Sequence, residues 1–77
     1  MAALVYFKKE SEQPGSIRYS FGADPAEMDR QLSLNTATRS SEPVDGEADH
    51  LFLKASRKIN SLYEERGSWP ERGMSAS

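Results

Sequence analysis

Lys54, Arg57 and Lys58 are the residues whose type and spacing come nearest to a chemical site in this sequence. On a helix, Lys54 and Lys58 stand at i and i+4 on one flank, with Arg57 beside them. Like charges at that spacing cost about a few tenths of a kcal/mol, so helix stability does not account for them. Clustered cations suit contact with phosphate or with an acidic partner, and Lys8, Lys9 or Arg18 could add to them from a neighbouring sheet. One expectation is therefore a small nucleic-acid-binding protein that uses this basic flank. The plainer expectation is a solvated helix flank whose charge is offset by Glu47 and Glu65 on the same side.

Other chemistries find little to work with. His50 is the single histidine and the chain has no cysteine, which removes thiol chemistry and Cys-based zinc sites. On the helix it sits far from the apolar stripe and is expected to face water, where Asp45, Glu47 and Asp49 serve to solubilise the helix start. No G-x-S-x-G elbow surrounds any serine, and neither G-x-G-x-x-G nor G-x-x-x-x-G-K occurs. Glu64 and Glu65 are adjacent, so on a helix they point about 100° apart and cannot act together as acid and base. The sequence accordingly assigns no catalytic residue, no cofactor and no metal ligand, and reads as that of a protein that is not an enzyme.

These residues are positioned by an amphipathic helix expected over residues 45–67. Ala48, Leu51, Phe52, Ala55, Ile59, Leu62 and Tyr63 fall into one stripe roughly 120° wide at the helical period. Asp45 is the expected N-cap, and Gly67 followed by Pro70 the expected stop. Ahead of the helix, the run ALVYFKK predicts a strand over residues 3–8. ESEQPG predicts a hairpin loop whose Pro14-Gly15 pair suits a type II turn. Ile17, Tyr19 and Phe21 alternate with Ser16, Arg18 and Ser20 in a half-buried second strand. Asp24-Pro25-Ala26-Glu27 predicts a short helical turn, and residues 30–36 a third strand. The expected fold is α+β: a three-stranded antiparallel sheet packed against one C-terminal amphipathic helix, in the order βββα.

At 77 residues the chain has room for one domain, expected over residues 1–70, with residues 71–77 as a disordered tail. It is 36% hydrophobic and 29% charged, with mean hydropathy −0.73, on the polar side of globular. A net charge of −2 argues against bulk attraction to nucleic acid or anionic lipid and leaves a local basic patch open. The apolar run from Ala2 to Phe7 is too short, and its lysines too late, for a signal peptide, and no stretch approaches a membrane span. A soluble, cytoplasmic protein that binds no membrane is expected.

The first strand is apolar on both sides, with Leu4 and Tyr6 on one face and Val5 and Phe7 on the other. One helix covers only one face of a sheet. The remaining apolar surface must be covered by the segment after the helix, through Trp69 and Pro70, be left exposed, or be shared with a protein partner or a second copy of the chain. Leu4, Tyr6 and Trp69 are thus the candidate interaction residues. No motif assigns the chain to a family. The reading that emerges is a small non-catalytic protein-interaction module, an accessory or regulatory subunit, with nucleic-acid binding through Lys54, Arg57 and Lys58 as the alternative.

Overall fold

A computed structural model describes residues 4–76, so the expected strand start at Ala3 and the final tail residue Ser77 lie outside the described residues. The elements are β1 (Leu4–Gln13), β2 (Ser16–Gly22), β3 (Arg30–Asn35), β4 (Ser41–Pro43), α1 (His50–Arg66) and β5 (Arg72–Ala76). The strands form one antiparallel sheet in the order β4-β3-β2-β1-β5. The α+β class, the antiparallel pairing and the single helix near the C-terminus all match the sequence. The expected three-strand sheet does not: the described residues form five strands.

The two additional strands come from the polar segment after β3 and from the expected tail. Asn35 accepts hydrogen bonds on its side chain from the Ala37 and Thr38 amides, and Arg39 takes a positive φ, which folds the polar connection back so that Ser41–Pro43 pairs with β3. Residues 72–76, expected as a tail, return along the outer side of β1. β1 therefore lies inside the sheet, between β2 and β5.

The β1–β2 hairpin is tighter than expected. β1 runs on to Gln13, leaving only Pro14 and Gly15 in the loop, and Gly15 adopts φ 84, which a side chain would resist. A register shift between Lys9 and Ser11 marks a bulge in β1.

Alternation places Val5, Phe7, Ile17, Tyr19, Phe21, Leu32 and Leu34 on one face of the sheet, all buried. Phe52, Ala55, Ile59 and Leu62 of α1 close that core. The helix begins later than the expected Asp45. Gly46 has φ 79, so the chain turns there instead of coiling, and Asp49 becomes the N-cap by accepting the Phe52 amide at 3.0 Å. Ala48 consequently lies outside the helix and is exposed. At the other end Gly67, with φ 74, donates its amide to the Tyr63 carbonyl and ends the helix as expected.

Arg30 locks the approach to α1. It pairs with Asp45 at 2.9 Å and with Asp49 at 2.7 Å, while its guanidinium stands 4.8 Å from the centre of the Phe21 ring. The hydrogen bonds from Arg30 hold both carboxyls below the usual aspartate range. No helix among the described residues is long and apolar enough to cross a membrane.

Candidate interaction site

The site is built around β5. Its pairing phase follows from one bond: the Lys9 amide donates to the Glu71 carbonyl at 2.7 Å. Bonded and non-bonded pairs alternate along an antiparallel ladder, so Gly73 and Ser75 bond to β1 through Phe7 and Val5. The N–H and C=O groups of Arg72 and Met74 then point the other way, along the outer edge of the sheet. Among the described residues no strand pairs with that edge.

On one side of this edge lies a groove of about 550 Å³ between α1 and β5. His50, Leu53, Lys54, Arg57 and Lys58 form its helix wall and Ser75 belongs to its strand wall. Ser75 presents a small side chain to the groove. Gly73, two residues before it on the same face, lies against the Phe7 ring, which a Cβ there would approach to 2.7 Å. Among the described residues no carboxylate lines the groove, and none of the ion pairs they form involves Arg57 or Lys58.

The opposite side of β5 opens onto the sheet face that α1 leaves uncovered. There Tyr6, Met28 and Met74 surround a shallow apolar dent of about 340 Å³, with Pro25 beside them and Lys8 and Arg72 at its margin. The connection between β2 and β3 reaches this face by crossing close over Gly22, where a Cβ would collide with the Glu27 carbonyl.

The sequence-derived candidates divide accordingly. Lys54, Arg57 and Lys58 do come together, on the groove wall. Lys8 and Arg18 do not join them, since both alternate to the open face, where Lys8 approaches Glu10 at 3.8 Å. Lys9 is held by Glu12 at 2.8 Å and Glu71 at 3.3 Å, and its pKa is raised chiefly by the hydrogen bond to Glu12. Glu47 precedes the helix, and its carbonyl is engaged by Arg30.

Leu4 and Tyr6 lie together on the open face, but Trp69 is not with them. It packs against the helix-side core and stacks on Tyr63 with ring centres 4.0 Å apart and planes 14° from parallel. The segment after the helix thus wraps the covered face, and the residue that takes its place beside Tyr6 is Met74. Sequence reasoning missed Met74 because a lone methionine in SWPERGMSAS carries no periodic signal.

Among the described residues no three carboxylate or histidine side chains converge as a metal site requires. No protein-family model, curated protein or solved structure matches this chain.

Proposed function

We propose that this chain is a small non-catalytic protein-interaction module, an accessory or regulatory subunit that docks a protein partner along β5. The supporting observation is where apolar surface remains bare. Among the described residues the large hydrophobic side chains left exposed are Leu4 at 38%, Val44 at 53%, Leu53 at 46% and Met74 at 41%. All but Val44 border β5: Met74 belongs to it, Leu4 is paired with Ala76, and Leu53 lines the adjoining groove. Apolar side chains gathered along one unpaired strand edge are what a docking surface requires. The absence of cysteine fits a reducing cytoplasmic setting.

Affinity purification from the native host with the wild-type chain and a Leu4→Glu, Met74→Glu variant tests this reading. A protein recovered with the wild type and lost from a variant of unchanged circular dichroism supports it. Identical recovery from both overturns it.

A second reading, nucleic-acid binding, is favoured by one observation: Lys54, Arg57 and Lys58 share the groove with His50. It requires an affinity for single- or double-stranded oligonucleotides that falls steeply with salt and is lost on Arg57→Glu, Lys58→Glu substitution. No aromatic platform for base stacking adjoins these cations among the described residues, because Trp69 is engaged with Tyr63.

A further inference from the structure

We infer that the partner's contacting segment is an extended acidic peptide that adds to β5 as a further antiparallel or parallel strand. Its carboxylates, at every second position, lie in the groove against Arg57, Lys58 and Lys54. This rests on the interaction-module reading above and specifies its occupant.

Three features converge on it. The outer N–H and C=O groups of Arg72 and Met74 offer a peptide backbone the hydrogen bonds that a nucleic acid or a rounded protein surface has no matching ladder to satisfy. The two sides of that edge differ: Lys54, Arg57 and Lys58 stand on the α1 side with Leu53, whereas Tyr6 and Met74 give the open side an apolar centre with Lys8 and Arg72 at its margin. A strand laid along β5 sends alternate side chains to these two sides, so the complementary sequence alternates acidic and apolar residues. The spacing also agrees, since side chains on one face of a strand recur about every 7 Å and Lys54 and Lys58 are separated by about 6 Å along the helix axis.

A second copy of this chain is the poorer occupant. Antiparallel pairing of β5 with its own copy places both helices on the same side of the joined sheet. The two basic flanks would then face each other across the new seam, with Arg57 and Lys58 of each copy opposed and no carboxylate among the described groove residues to separate them.

The test uses a blocked eight-residue peptide alternating valine and glutamate, titrated into the full ¹⁵N-labelled chain. Three controls accompany it: the same peptide N-methylated on alternate backbone nitrogens, a valine–lysine counterpart, and an oligothymidine. The expected result is movement of the Arg72 to Ser75 amide resonances together with those of Lys54, Arg57 and Lys58. Affinity should fall by about tenfold or more on N-methylation, which removes backbone bonds and keeps every side chain. The lysine peptide should not bind, and an Arg57→Glu, Lys58→Glu variant with unchanged core resonances should lose the glutamate peptide.

Absence of shifts with the glutamate peptide up to about 1 mM, equal binding of its N-methylated form, or the same shifts produced by oligothymidine each overturns strand addition. Shifts confined to Tyr6, Met28 and Met74 overturn it too. In that last case, partner capture that remains sensitive to Leu4→Glu, Met74→Glu keeps the interaction-module reading while the strand-addition proposal falls.

Discussion

The Tyr19 hydroxyl donates to the carbonyl oxygen of Pro70 at 2.6 Å, joining the middle of the sheet to the segment that leaves α1. Pro70 is buried, and β5 begins two residues later, so this bond helps to set where the chain rejoins the sheet. Burial of the phenol is the main cause of a pKa raised above its ordinary 10.0.

Tyr19→Phe should cost about 1–3 kcal/mol, because it leaves the Pro70 carbonyl without its partner. The sign of the pH dependence follows from the raised pKa. The unfolded phenol ionises first, so the contribution of Tyr19 is complete below pH 10.0 and declines above it. Urea denaturation of both proteins should therefore show a gap at neutral pH that narrows in alkali, and a gap that widens there would contradict this role.

Gly73→Ala should destabilise the chain by about 1–3 kcal/mol by overpacking. The new methyl would stand 2.7 Å from the Phe7 ring, which is itself fully packed against Tyr19 at 5.9 Å between ring centres. Thermal melting measures the loss. Amide exchange should localise it to β5, with β3 and β4 unaffected.

The Arg30 clamp predicts an acid response. Asp45 and Asp49 have folded pKa values below the ordinary 3.8, so the stability they contribute is present above that value and is lost as pH falls through their lower folded values. Denaturation midpoints measured from about pH 6 to about pH 2 should decline in the acid part of the range for the wild type. The decline should be shallower for Arg30→Ala, and parallel curves would remove the clamp from the account.

Ile59→Asp should abolish cooperative melting, since Ile59 is fully buried between α1 and the sheet and the carboxylate would have no partner there. A variant that melts like the wild type would contradict the packing of α1.

The elements with a strong period were legible in the sequence. Ile17, Tyr19 and Phe21 alternate as β2 requires, and Phe52, Ala55, Ile59 and Leu62 recur at the helical period, because each set faces a core on one side and water on the other. β4 and β5 were not legible. Ser41–Pro43 is too short to show a period, and RGMSA holds one large apolar residue, so their strand character comes from pairing with β3 and β1. The apolar surplus of β1 signalled that its second face needed cover or a partner, and the sheet was nevertheless expected to hold three strands instead of five. The cap was misplaced for a local reason: Asp45 has the right side chain, but Gly46 turns the chain before a helix can form. The cationic wall of the groove was legible from the spacing of Lys54 and Lys58, whereas its strand wall includes Ser75, a small residue that carries no signal of its own.

Hydrogen exchange at the Met74 amide tests the central claim most directly. Its N–H points to the unpaired edge of β5 while the amides of Gly73 and Ser75 on either side bond to β1. In the free chain Met74 should exchange quickly and its two neighbours slowly. With the alternating valine–glutamate peptide at saturation, Met74 should slow by about tenfold or more. A Met74 amide already as protected as Gly73 in the free chain, or one whose rate is unchanged while the peptide is bound, would contradict docking along this edge.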